Sequence, residues 1–178
     1  HVCENAFAGA SMGSVHGATG GRVDPSRVRL RPAQRSDIDL LLQFQNDPES
    51  NAMAGVYPRD EGAFRAIWDR ILVDPSVVAR VVTLDGQVVG SISRFLMEQQ
   101  PSIGYWIARE QWGRGIAGIT LGLFLRELSE RPVFAQVRKE NAASVRVLTK
   151  HGFRVERCEF APGTDRYVAG EVVYLRLD

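Results

Sequence analysis

Apolar and polar residues alternate from Val28 through Arg29 and Leu30 to Arg31, the period of a strand, and Pro32 ends it. The period then lengthens. Ser36 and Asp37 stand as N-cap residues before Ile38, Leu40, Leu41, Leu42 and Phe44, which predicts a short helix stopping near Asp47 and Pro48. A loop through Gly55 and Pro58 leads to a second helix from about Glu61 to Leu72. There Phe64, Ile67, Trp68 and Ile71 recur at three- and four-residue steps and read as core rather than as a substrate box. Val77 to Leu84, Asp85-Gly86 and Gln87 to Met97 read as a hairpin, because Asp-Gly tolerates the positive φ of a tight turn. Ile103 to Ala108 is another strand. A glycine-rich turn follows, then a nearly all-apolar helix from about Gly115 to Leu128, expected to be buried nearly all round. Pro132 to Val137 is a strand, and Ala142 to Lys150 a helix closed by Gly152 as its C′ residue. Two strands, about Arg154 to Phe160 and Glu171 to Leu177, complete the pattern.

The order β, α, α, β, β, β, α, β, α, β, β predicts an α+β fold: a mixed, mostly antiparallel central sheet with a βαβ crossover and helices on both faces. Residues 1–26 hold five glycines and no hydrophobic period, and lack the basic and apolar regions of a signal peptide. They are expected to be a flexible tail or tag remnant, with residues 27–178 as one domain. The alternative is an arm docked on a partner subunit, and a homodimer is the assembly allowed for.

Composition narrows the function. No apolar run nears the roughly 18 residues needed to cross a bilayer. A net charge of +1 removes the electrostatic argument for nucleic acid. Cys3 and Cys158 form neither a disulfide framework nor a metal-ligand spacing, so no metal is expected and a reduced cytoplasmic protein is the default. Among 22 basic residues only Lys139 and Lys150 are lysines, a skew that more often reports a GC-rich genome than a function.

The most informative stretch runs from Gly104-Tyr105-Trp106 through Arg109-Glu110-Gln111-Trp112 to Gly113-Arg114-Gly115-Ile116-Ala117. A strand runs into glycines that open a helix. Glycine permits close backbone approach, and the open N–H groups of a helix N-terminus suit a pyrophosphate. The plain alternative is a tight strand-to-helix turn. Downstream, residues 131–157 carry seven basic residues against Glu140 and Glu156, either a solvated face or a counter-charge for phosphates.

The glycine turn resembles the acetyl-CoA-binding motif of the GCN5-related N-acetyltransferases, Arg/Gln-x-x-Gly-x-Gly/Ala. Asn141-Ala142-Ala143-Ser144, with Val147, Leu148, Lys150 and Gly152-Phe153, is similar to the Asn-x-x-Ser…Lys-x-Gly-Phe pattern of the ribosomal-protein N-terminal acetyltransferases, and Gly104-Tyr105-Trp106 also fits. The likeness spans about residues 27–178. It implies an acyl-CoA N-acyltransferase fold and acetyl transfer from acetyl-CoA to a primary amine, of a peptide or small molecule, by direct attack on the thioester. It implies that Ile107, Ala108 and Arg109 pair their backbone with pantetheine, with an N–H near Ile107 as oxyanion donor. Backbone N–H groups from Trp112, Gly113, Arg114, Gly115, Ile116 and Ala117 would hold the pyrophosphate. Asn141 would meet the pantetheine arm, although a helix N-cap suits it equally, and Lys150 or Arg146 would reach an outer phosphate.

Three positions depart from the pattern. Glu110 occupies the Arg/Gln position, Ser102 stands where many relatives carry Glu, and Leu148 replaces the Tyr that protonates the leaving thiolate. Ser144 is then the nearest hydroxyl donor. Proton removal is expected to run through water helped by Glu98 or Tyr105, unless these are a surface charge and a packing residue. At pH 7 a lysine amine is neutral roughly once in 2,500 and an α-amino group about once in ten, so a weak base favours an α-amino acceptor. The acceptor pocket is expected around Asp47 to Asp60, where Asp47, Glu49, Asp60 and Glu61 would attract a cation or simply serve helix ends. His151 is given no catalytic role. Two other readings remain: a silent CoA-binding protein of the same fold, and an NADP-dependent oxidoreductase, since residues 113–118 spell Gly-x-Gly-x-x-Gly with Arg138 after the next strand. Only 60 residues follow Gly118, too few for the rest of a doubly wound domain.

Overall fold

The computed structural model describes residues 21–178. Seven strands form one sheet: β1 (Val28–Pro32), β2 (Val78–Leu84), β3 (Gln87–Met97), β4 (Gln100–Ile107), β5 (Val133–Arg138), β6 (Arg154–Ala161) and β7 (Gly170–Leu177). Their order is β1-β2-β3-β4-β5-β7-β6. All neighbours run antiparallel except β4 and β5, which are parallel and joined by a crossover helix. The helices are α1 (Ile38–Gln45), α2 (Pro48–Ala54), α3 (Glu61–Ile71), α4 (Ile116–Glu127) and α5 (Ala142–Lys150). This is the expected α+β architecture. One parallel pair in seven strands is far from the doubly wound sheet an NADP-dependent oxidoreductase of that type requires.

Alternation along β2 splits the core between the faces. Val81 packs with Ile38, Leu41, Phe64, Trp68 and Phe95 under α1 and α3. Val82 turns the other way to Tyr105, Ile107, Leu121, Phe124, Leu148 and Leu175 under α4 and α5. Phe64 and Trp68 are core, as their spacing predicts. Helix α4 is apolar all round but fully buried only along Ile116, Ala117, Thr120, Leu121 and Phe124, while Ile119, Leu123 and Leu125 are half-buried.

Two local features escaped the pattern. Asp47-Pro48 ends α1 but also starts α2: the Asp47 carboxylate accepts from Ser50 N at 2.8 Å, Pro48 fills the first turn, and Gly55 closes the helix in the left-handed region. Strand β4 begins three residues early, because Glu98 and Gln99 turn the β3–β4 hairpin with φ of 49° and 64° and no glycine.

Asp37 ties β1 to the α1 entrance. It accepts from Arg31 at 2.7 and 2.8 Å and from Gln34 N at 2.8 Å. Burial works to raise its carboxyl, but Arg31 and the Gln34 N–H outweigh it and hold the group below its ordinary 3.8. A carboxyl depressed in the fold stabilises it above the unfolded-state value, and that contribution is lost as pH falls through the folded value. Asp37→Asn is therefore expected to cost about 1–3 kcal/mol at neutral pH. The deficit should shrink below about pH 4 in urea unfolding, and a deficit constant with pH would refute the assignment.

No helix among the described residues is long and apolar enough to cross a membrane. No cluster of three or more His, Cys, Asp or Glu among them would hold a metal ion.

Candidate active site

The parallel strands part almost as soon as they meet. β4 and β5 pair only at Ser102 and Phe134. Trp106 lies opposite Ser91, and Ala108 N donates to the Val89 carbonyl at 2.9 Å. The alternation therefore turns even-numbered residues of β4 toward β3, and the N–H and C=O groups of Tyr105 and Ile107 toward β5, across the gap. The Ile107 carbonyl is taken by the Trp112 indole N–H at 2.9 Å, which pins the strand end to the turn that follows.

That turn ends in glycines at φ of 73° (Gly113) and 82° (Gly115), which only glycine adopts freely. Asp47, Asp60 and Asn141 cap α2, α3 and α5 with side chains, whereas the N-cap of α4 is Gly115 and has none. The first N–H groups of α4 are thus left for a ligand. A Cβ on Gly115 would meet nothing nearer than Arg22 Nε at 3.7 Å, so the helix start is open. A gap with unpaired strand edges beside an uncapped, positively polarised helix end fits the pantetheine and pyrophosphate of CoA.

The tail expected over residues 1–26 gives way, within the described residues, to a docked segment. Val23 is 5% exposed, joins the core, and donates its N–H to the Arg114 carbonyl at 3.0 Å. Asp24 accepts from Ser26 N at 2.8 Å and starts a turn of 3-10 helix over Pro25–Arg27. The Asp24-Pro25 pair was the legible signal for this ordering. Residues 1–20 lie outside the described ones.

Of the expected cofactor residues, Ile107, Ala108, Trp112, Gly113, Arg114, Gly115, Ile116 and Ala117 line this corner in sequence. The Ala108 N–H is already bonded to Val89 and the Trp112 N–H to the Arg109 carbonyl at 3.0 Å, so neither is open to the cofactor as expected, and the Arg109 side chain pairs with Asp47 at 3.0 Å and Glu49 at 3.2 Å. Glu110 is exposed in the turn. Asn141 is buried and accepts from Ser144 N at 3.2 Å, the N-cap geometry. Arg146 and Lys150 are exposed further along α5. His151 Nδ1–H donates to Val147 O (2.8 Å), and its ring covers Gly118 and Gly122, whose lack of side chains lets α5 approach α4.

The three catalytic candidates fall on opposite faces. Tyr105 and Ser144 are buried together on the α4–α5 side. Burial raises the Tyr105 phenol far above its ordinary value, opposed by nearby Ser144, while its oxygen has no well-formed hydrogen bond. A phenol so held stays protonated near neutral pH, so it can donate or relay a proton but does not take one up as a base, and the base role expected for Tyr105 is corrected to that extent. Glu98 lies on the other side, at a cleft of about 450 Å3 lined by Gly55, Gln136, Arg138, Tyr167 and Tyr174 among others. The acceptor-side acids expected at 47–61 are engaged elsewhere. Asp47 and Glu49 hold Arg109, Asp60 caps α3, and Glu61 pairs with Arg65.

Residues 27–154 match the family model described as an acetyltransferase (GNAT) domain. A curated relative from Bacillus licheniformis, uncharacterized N-acetyltransferase p20, is 24% identical over 143 residues, 73% of this chain and 80% of its own. The spermidine N-acetyltransferase of Vibrio cholerae, in complex with CoA and spermine, has the same fold at TM-score 0.73 and 18% identity, over 85% of this chain and 95% of that one. RimJ of Mycobacterium smegmatis, in complex with CoA-disulfide, has TM-score 0.65 and 24% identity, over 84% and 81% of the two chains.

Proposed function

Because the chain belongs to the GNAT acetyltransferase family and is accordingly an acetyl-CoA-dependent N-acetyltransferase, we propose that it acetylates a primary amine, of a peptide N-terminus or small molecule, by direct attack on the thioester. The observation that carries this reading is the gap opening beyond Ser102 and Phe134 beside the uncapped start of α4. Bound acetyl-CoA supplies the activated acyl carbon, whose C–S bond breaks as the C–N bond forms. Backbone N–H groups from Gly113 to Ala117 hold the pyrophosphate, with Arg146 or Lys150 toward an outer phosphate. Ile107 N–H faces the developing oxyanion, and Asn141 borders the pantetheine arm. Ser144, backed by the protonated Tyr105, stands on the thiolate side, while Glu98 receives the amine's proton through water from the cleft. With a base that acts only through water, an amine already neutral near pH 7 is favoured.

Thiol release from acetyl-CoA tests this with peptide α-amines, free lysine and spermidine as acceptors. Amine-dependent release, steepest for α-amines, is expected. Binding of acetyl-CoA with no release for any amine would make the protein a silent CoA binder, and a steep preference for free lysine would overturn the account of the base.

A further inference from the structure

Among the described residues three arginines, Arg59, Arg114 and Arg166, each bury a guanidinium nitrogen that has no hydrogen-bond partner, and Arg59 and Arg166 lie on two adjoining loops. Arg31 is held by Asp37, and Arg94 by Glu130. Arg59 and Arg166 have no ion pair among the described residues. Arg166 is 7% exposed, and its Nε is buried without a partner. Arg59 buries both Nε and Nη2 in the same condition. Arg166 is bonded to Tyr57, two residues from Arg59; burial first, and repulsion from Arg59 second, pull the Arg166 guanidinium down to about 10. Burial also lowers Arg59, against weaker attraction from Tyr167 and Asp165.

The two belong to loops that are zipped together at the cleft. Tyr57 N donates to Arg166 O at 2.9 Å, Val168 N to Gly55 O at 2.9 Å, Val56 bridges Tyr167, and an Arg166 Nη donates to Tyr57 O. Gly55, Thr164, Tyr167 and Val168 of the same loops line the cleft. Two like charges with buried, orphaned N–H donors on adjoining loops are costly unless an anion joins them, and their planar forks match a carboxylate.

We propose that Arg59 and Arg166 bind a carboxylate of the acceptor, so that the amine acetylated here is one bearing a carboxylate, an amino acid or an acidic peptide N-terminus, and not a polyamine. This rests on the acetyl-transfer reading above and names its substrate class.

The test compares KM on the full chain for two amidated tripeptides, Glu-Ala-Ala and Gln-Ala-Ala, with free glutamate and spermidine alongside. The acidic tripeptide is expected to have a KM about tenfold or more below its neutral twin, the worth of a charged hydrogen-bonded pair. Spermidine should be the poorest acceptor, and free glutamate against the tripeptide separates amino acid from peptide as the source. In Arg59→Gln the ratio between the twins should fall toward one. The ratio cancels any general loss, and Arg59 makes no ion pair among the described residues whereas an Arg166 Nη donates to Tyr57 O, so the Arg59 variant is expected to fold even if Arg166→Gln does not. Calorimetric titration with the acidic tripeptide reads the site without turnover, with binding lost in Arg59→Gln. Equal KM values for the twins, a preference that survives in Arg59→Gln, or spermidine as the best acceptor would overturn the inference. If no amine is acetylated, the acetyl-transfer reading fails, whereas calorimetric binding dependent on Arg59 would still support the carboxylate site.

Discussion

Gly115→Ala is expected to weaken acetyl-CoA binding about 100-fold while leaving the fold in place. The cause is conformation rather than space. Gly115 sits at φ 82°, and a Cβ there would touch only the tip of Arg22 at 3.7 Å. An L side chain in the left-handed region costs about 1–2 kcal/mol. Relief comes by rotating the peptide that aims the first N–H groups of α4, and a charge-assisted hydrogen bond lost there is worth about 1.5–3 kcal/mol. The strain is relieved by that rotation, so the lost hydrogen bond sets the affinity change, about 3 kcal/mol at the upper end of its range, or two orders of magnitude. Gly86 provides the control. It has the same φ of 82° in the β2–β3 hairpin, and nothing lies within 4 Å of its would-be Cβ. Gly86→Ala should lower the unfolding midpoint by a similar few degrees yet leave the dissociation constant unchanged. Equal affinity in Gly115→Ala and the parent chain, by calorimetry, would remove the turn from the binding site.

Gly90→Ala is expected to be the most destabilising small substitution in the sheet. A Cβ there would lie 2.3 Å from the Trp106 carbonyl oxygen and 3.2 Å from Ile107 Cα, both backbone. No rotamer change relieves such a clash, so β3 or β4 must move. The cost is on the order of 3 kcal/mol, or about 6–12 °C in midpoint for a chain of this size. Because Ile107 presents its N–H to the gap from the same stretch of β4, kcat should also fall. A midpoint within 2 °C of the parent, by thermal unfolding, would show that the strands close less tightly than described.

The split between what was legible and what was not has physical reasons. Strands and helices with a buried stripe were readable because burial imposes a period; Phe64, Ile67, Trp68 and Ile71 mark α3 without help from elsewhere. Helix α2 was hidden because Pro48 serves both as a stop and as a first-turn residue, and its buried residues Ser50, Asn51 and Ala54 are small or polar. The β3–β4 turn was hidden because Glu98 and Gln99 adopt positive φ, which no propensity marks. In the site, the glycine turn and the Asn141 cap are local and could be read. The partition of Tyr105 and Ser144 from Glu98 could not, since it depends on which face of the sheet each element covers. Arg109 with Asp47, and Arg166 with Tyr57, are pairings across 62 and 109 residues of chain that only the fold brings together.

The most direct test of the central claim is equilibrium titration of the full chain with acetyl-CoA, with NADPH in parallel. The parted strands and the uncapped start of α4 predict one acetyl-CoA bound per chain and no NADPH. Binding of NADPH, or of neither, would contradict the assignment of the glycine turn to CoA.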